Sequence, residues 1–427
     1  MFRKFILYLT GFCFALLLLS FSGCQSEKSS TYSSVSMEES SVEALSQETP
    51  AQPVSETELS SLEETTHTVL ETTLDEAITT QTSDEEQTKF IEQETSSEAT
   101  PLPEINAETL INCSTTLYTY DQMEADLHTL AAAYPDILQV TTVSNADGTA
   151  ILTADDRPMY VAYFGNRNAS QQIFICAATH AREYMTTQLV MRQLAHTCAT
   201  YETGSYNSLS YREIFDRTCF VIVPMVNPDG VSISQLGLAG LRSETLQAQI
   251  QNIYNADVAA GYTSYDFATY LTRWKANANG VDLNRNYSPG WESVTDRNGP
   301  SADFFKGDAP GDQPEAQALM TVINQLSNPR LALSYHSYGA LVYWQYGQPE
   351  PLWSANEQLA SAISNLTGYY LAGYSNEAGF SNWCVLEKGI PSVTVETGTV
   401  PTPLPLDQLE PLWQQNQEMW VMLGSVY

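Results

Sequence analysis

The feature that most constrains this chain is a run of six apolar residues, Ile173 to Ala178, that stops at Thr179-His180-Ala181-Arg182-Glu183 and gives way to a helical pattern. A short apolar run followed at once by helical periodicity describes a buried strand feeding a helix. Its end is polar in a specific way. The imidazole of His180 and the carboxylate of Glu183 are suitable Zn²⁺ ligands, and both reach one ion if His180 leaves the strand end and Glu183 stands in the first helical turn. With five histidines in the chain, a His-x-x-Glu arises too easily by chance to carry a conclusion alone.

The rest of the chain repeats the same grammar. Cys219 to Val226 reads as a buried strand ending in the turn Asn227-Pro228-Asp229-Gly230, Leu331 to Tyr335 as a strand with His336 at its end, and Ser392 to Val395 as a strand with Glu396 at its end. Ile137 to Val143 and Met159 to Phe164 are further strand-like runs. Helical patterns run from a cap at Asp121 to Tyr134, from about Glu183 to Thr197, from Pro314 to Leu326 and from about Asn356 to Leu366. Alternating strands and helices imply an α/β sheet covered on both faces. In open α/β sheets, ligands bind outside the carboxyl ends of the strands, so His180, Asn227, His336 and Glu396 converge on one edge if their strands are parallel. Of the other histidines, His128 and His196 fall inside helical patterns and His67 lies near the N-terminus. Val231 to Leu271 is loosely patterned and reads as an insertion of loops or short helices. Asp229 and Asp282 read as turn and scaffold residues.

Before this block, the chain opens with Arg3 and Lys4, an apolar run from Phe5 to Phe21, and Ser22-Gly23-Cys24. Basic, apolar and small residues in that order form an export signal over residues 1–23, and Cys24 after Ser-Gly resembles a bacterial lipobox cysteine, the site of lipidation. The alternative, an uncleaved anchor, has about 17 apolar residues, at the short edge for a bilayer. Either reading places the remainder outside the cytoplasm, on a bacterial cell membrane. Residues 24–105 are rich in Ser, Thr and Glu; from Gln25 to Ile105 there are 19 acidic against two basic residues. Such a stretch cannot bury enough apolar surface to offset chain entropy, so a disordered tether is expected. It holds much of the net charge of −32. The remainder is still acidic, which argues against nucleic acid as a partner. Residues 106–427 form one block without a second Pro- or Ser-rich break and are expected to be a single, monomeric catalytic domain. Its scattered cysteines read as buried free thiols, with Cys198 and Cys219 as the alternative disulfide pair.

Taken together, these residues resemble the zinc metallocarboxypeptidase family of pancreatic carboxypeptidase A. His180-Ala181-Arg182-Glu183 looks like the family's two-ligand motif and Ser334-Tyr335-His336-Ser337-Tyr338 like its third-ligand motif. Val281 to Asn286 resembles the segment whose Asn-Arg pair, here Asn284 and Arg285, grips the substrate's terminal carboxylate. Val393 to Gly398 resembles the segment with the catalytic glutamate, here Glu396, and Tyr374 matches the mobile tyrosine that closes over the substrate. The resemblance implies a mixed, mainly parallel eight-stranded sheet between helices, with one zinc held by His180, Glu183 and His336. The family's oxyanion-stabilising arginine would fall at Trp274-Lys275, which leaves Lys275 or Arg273 to serve. The 152 residues between Glu183 and His336 exceed the usual family spacing, in line with the insertion. The lead-in Trp274 to Asn277 and the segment Gly379 to Trp383 look closer to the bacterial subgroup that cleaves γ-D-glutamyl to diamino acid bonds in cell wall peptides.

Three protein ligands with a fourth position open to water are the pattern of a catalytic zinc. The implied activity is removal of C-terminal residues from peptides or peptidoglycan stem peptides at the cell surface. Ser381, near the specificity pocket in the family's layout, is small and neutral and gives no counter-charge for a basic side chain, so a strict Lys/Arg preference is not expected. Two other readings stay open: a tethered, catalytically inactive peptide-binding protein, and a zinc deacylase or amidase acting on small acyl amino acids.

Overall fold

The computed structural model describes residues 107–426, and the expected export signal, the expected tether and Cys24 lie outside them. The strands are β1 (Leu138–Thr142), β2 (Tyr160–Gly165), β3 (Gln171–Ala177), β4 (Ser205–Tyr206), β5 (Leu209–Ser210), β6 (Thr218–Val223), β7 (Pro329–Ser337), β8 (Leu341–Tyr343), β9 (Tyr370–Leu371) and β10 (Ser392–Thr397). Eight of them form one sheet in the order β1-β2-β6-β3-β7-β10-β8-β9, while β4 and β5 make a separate hairpin. The central strands β6, β3, β7 and β10 are mutually parallel. The edges are antiparallel to them at β2 and β8.

Why β3 and β6 carry unbroken apolar runs, Ile173 to Ala177 and Cys219 to Val223, follows from where their side chains go. Along β3, Ile173, Ile175 and Ala177 enter one core, and Phe174 and Cys176 enter the other. Along β6, Phe220 and Ile222 face the first core, and Val221 and Val223 the second. A strand whose period of two is hidden by burial on both sides has helices over both faces. Helices Tyr120–Ala133, Met185–Thr200 and Leu352–Thr367 supply Leu127, Leu189, Leu359 and Ile363 to one side; Pro314–Gln325 and Phe380–Leu386 supply Leu319, Phe380 and Trp383 to the other.

Several boundaries differ from the sequence reading. Thr119, not Asp121, caps the helix at Tyr120, accepting a hydrogen bond from the Gln122 N–H. The expected turn at Asn227 is a helix start: Asn227 caps Pro228–Leu236, with the proline in the first turn, where its missing N–H costs nothing. The insertion holds a 16-residue helix, Glu244–Ala259, and it is not loose. Its Ile250, Ile253 and Tyr270 form a satellite core with Ala181, Trp274 and Ala276, so it packs against the segments that carry His180 and Lys275. Cys113, Cys176, Cys198, Cys219 and Cys384 are buried free thiols, so Cys198 and Cys219 are not bridged.

Candidate active site

His180 is presented by a sharp exit from β3. Ala178 stands at φ 51°, a left-handed conformation that costs an L-residue about 1–2 kcal/mol. The cost is offset by a fixed set of bonds: the Ala178 N–H donates to Thr186 Oγ1 at 2.9 Å, and its carbonyl accepts from the Asn227 N–H at 3.1 Å. A single 3₁₀ turn, Ala181–Glu183, then brings Glu183 back beneath His180 before the helix Met185–Thr200 begins. His336 comes from β7. It and Glu396 are the penultimate residues of β7 and β10, not residues beyond the strand ends as the sequence suggested.

These side chains meet. His180 Nδ1 lies 2.9 Å from Glu183 Oε1, and His336 Nδ1 lies 3.1 Å from both His180 Nδ1 and Glu183 Oε2. Ligand atoms about 2.0 Å from a tetrahedral zinc are about 3.3 Å from one another, so two ring nitrogens and a carboxylate at these separations fit that ion. All three residues are buried. Burial alone would raise the Glu183 carboxyl, but the charges and hydrogen bonds of His180 and His336 outweigh it and hold it below the usual carboxylate range. Burial likewise opposes charge on His336, yet Glu183 and Glu396 raise its pKa.

Asp282, read from sequence as scaffold, is part of this site. Its Oδ1 lies 3.1 Å from His180 Nε2, the ring nitrogen opposite the ligand atom, and its Oδ2 accepts from Lys275 Nζ at 2.6 Å. A carboxylate behind a ligating histidine fixes the tautomer and the ring orientation. Burial pushes the Asp282 carboxyl up, but Lys275, His180 and Arg285 more than reverse this and hold it well below its ordinary value. Nothing in its local sequence separates Asp282 from a turn aspartate; the contact spans 102 residues.

Of the two candidate cations, Lys275 stands in the site, buried, with Nζ 4.8 Å from the Phe304 ring centre. Arg273 does not. Its guanidinium stacks 5.2 Å over Tyr265 in a cavity on the insertion side, where its carbonyl accepts from Arg182 Nη1. Asn227 is brought to the edge but faces structure: its amide donates to the carbonyls of Thr179 and Ala276, tying the ligand loop to the Lys275 loop.

Next to Glu396 opens a cavity of about 80 Å³ lined by Asn284, Ser381 and Glu396 together with Tyr343, Tyr346, Ser375, Glu377, Asn382 and Thr394. Asn284 is anchored by the Phe380 N–H at 3.1 Å, and Gly379 allows this approach, since a Cβ there would fall 2.5 Å from Asn284 Oδ1. Ser381 Oγ pairs with Thr394 Oγ1 at 3.0 Å. Arg285 is buried, with carboxylates of Asp296 at 3.1 Å, Glu377 at 3.4 Å and Asp282 at 3.6 Å. Tyr374 is exposed, near Gly347 and outside the cavity lining. Ser381 itself brings no charge to the pocket, but Glu377, a residue the sequence reading did not single out, also lines it.

A mainly parallel sheet whose C-terminal edge holds a His-Glu-His triad beside the half-buried carboxylate of Glu396 defines a metallohydrolase of the α/β class. The chain belongs to the zinc carboxypeptidase family, whose model matches residues 123–419, and it is a zinc metallopeptidase. It is 30% identical over 314 residues to γ-D-glutamyl-L-diamino acid endopeptidase 1 of Lysinibacillus sphaericus, covering 73% of this chain and 72% of the relative. It is 25% identical over 326 residues to carboxypeptidase B of Astacus astacus, covering 71% of this chain and 94% of the relative. The structure of thrombin activatable fibrinolysis inhibitor matches with a TM-score of 0.54 at 16% identity, covering 74% of this chain and 77% of that one, a likeness of fold.

Proposed function

We propose that this enzyme hydrolyses the amide bond next to a C-terminal residue of peptidoglycan stem peptides, working at the cell surface from a lipid tether at Cys24. The observation that carries the reading is that Asn284 and Glu396 line one cavity beside the metal triad, with Arg285 paired to Glu377 of the same lining. The wall peptide as substrate is supported by the name of the Lysinibacillus relative, and the tether by the signal-like N-terminus and the acidic stretch after it.

His180, Glu183 and His336 would hold zinc, which when bound would supply Lewis acidity for the scissile carbonyl and lower the pKa of water. Arg285, a planar fork, takes the free α-carboxylate in a bidentate grip with Asn284 beside it. Glu396 is pushed up to about 8, chiefly by burial, with His336 and Lys275 pulling it down. In its ionised form Glu396 accepts a proton from water and carries it to the leaving amine. Lys275, aimed by Asp282, offers positive charge where the oxyanion develops. Tyr374, exposed and next in sequence to Ser375 of the cavity lining, would fold over a bound substrate.

Mass spectrometry of products tests the reading. Zinc-loaded enzyme is expected to cleave a wall tri- or tetrapeptide containing γ-D-glutamyl-diaminopimelate and to lose this activity when the C-terminus is amidated. Cleavage indifferent to amidation would favour the amidase reading, and no cleavage of wall or ordinary peptides would favour the binding protein.

A further inference from the structure

The cavity beside Glu396 carries more information than its size. It presents hydroxyls and amides from Ser375, Ser381, Asn382 and Thr394, and its charged lining residues are two carboxylates, Glu377 and Glu396. The Ser381 and Thr394 hydroxyls pair with each other and the Asn382 amide with the backbone of Ser375 and Gly379, so the two carboxylates are the lining groups that distinguish one ligand side chain from another. Glu396 is committed to proton transfer in the reading above. Glu377 has no such task, and its Oε2 rests 3.4 Å from Arg285 Nη1.

That contact sets up an exchange. An incoming α-carboxylate takes the Arg285 fork and competes with Glu377 and Asp296 for it. With Asp282 on the same side chain, four carboxylates would then share one guanidinium, and like charges at such separations repel. A ligand whose side chain carries its own cation removes the conflict, because its ammonium pairs with the Glu377 carboxylate that the α-carboxylate has released. We propose that Glu377 is the specificity-determining residue that selects a C-terminal residue bearing a protonated side-chain amine, a diamino acid, in the pocket next to Glu396. This rests on the proposed placement of the substrate carboxylate at Arg285. Glu377 is about half exposed, so solvent screens the pair and the selectivity is moderate, about tenfold.

Equilibrium binding separates this inference from the hydrolysis it rests on. Calorimetry would use the full-length, zinc-loaded chain carrying Glu396→Gln, so that ligand is not consumed, and two ligands that differ only by the amine, γ-D-glutamyl-L-lysine and γ-D-glutamyl-L-norleucine. The lysine ligand is expected to bind about tenfold more tightly, and Glu377→Gln in the same background is expected to bring the two within about twofold. Glu377→Lys is expected to reverse the order in favour of γ-D-glutamyl-L-glutamate. Equal affinities with Glu377 present, a preference that survives Glu377→Gln, or binding of neither ligand would overturn the assignment. An amine preference without turnover by the unsubstituted chain would sink the hydrolytic reading and leave this one standing. Turnover without the preference would do the opposite.

Discussion

His336 and Glu396 are register partners in the parallel ladder of β7 and β10. Adjacent strands lie about 4.8 Å apart, and register partners project from the same face. A metal ligand and the proposed base are thus set side by side by backbone hydrogen bonds. Glu396→Gln keeps shape and removes the base, so kcat is expected to fall by about 10³-fold with the zinc content unchanged. Steady-state kinetics with metal analysis on the same samples checks this, and a loss below tenfold would take the proton-transfer role from Glu396.

Chelation should abolish turnover and added zinc should restore it, while the far-UV circular dichroism stays the same. The reason is that the two cores flanking the sheet do not include His180, Glu183 or His336. Collapse of the spectrum on chelation would make the ion structural instead of catalytic.

Asp282→Asn removes the negative charge that faces both His180 Nε2 and Lys275 Nζ. Zinc affinity is expected to weaken about 10- to 100-fold, read by competition with a chromogenic chelator. An unchanged affinity would return Asp282 to the scaffold role read from sequence.

Lys275 and Arg273 are separable by single substitutions. Lys275→Ala is expected to lower kcat by about 10²-fold or more, and Arg273→Ala to change it little, since its guanidinium stacks on Tyr265 away from Glu396. The reverse ranking would assign the oxyanion to Arg273.

Glu315 sits fully buried with Oε2 accepting from Asn277 and Oε1 without a partner. Burial, reinforced by Asp229, pushes its carboxyl up to about 8 from 4.5. A folded state that holds a proton the unfolded chain has lost is destabilised as pH rises, so the cost grows from pH 4.5 and is complete above about pH 8. Glu315→Gln should flatten this slope and add on the order of 2 kcal/mol at pH 8. Denaturant melts at pH 5 and 8 read the difference, and parallel slopes in the two proteins would count against it.

The amino-acid sequence determined the α/β class, the central strands and the metal ligands. Each of these is written locally: an unbroken apolar run for a strand buried on both faces, and short fixed spacing for His180 and Glu183, which one turn of backbone brings together. The reach of β7 through His336 was not readable, because polar residues at a strand end look like loop until a neighbouring strand satisfies their backbone. The contact of Asp282 with His180, the placement of Lys275 and not Arg273 beside Asp282, and the contact of Glu377 with Arg285 were decided only by tertiary structure. Those relationships join residues 7 to 102 positions apart through side-chain distances of a few ångströms. Sequence spacing says nothing about such distances until the sheet and its insertion have packed.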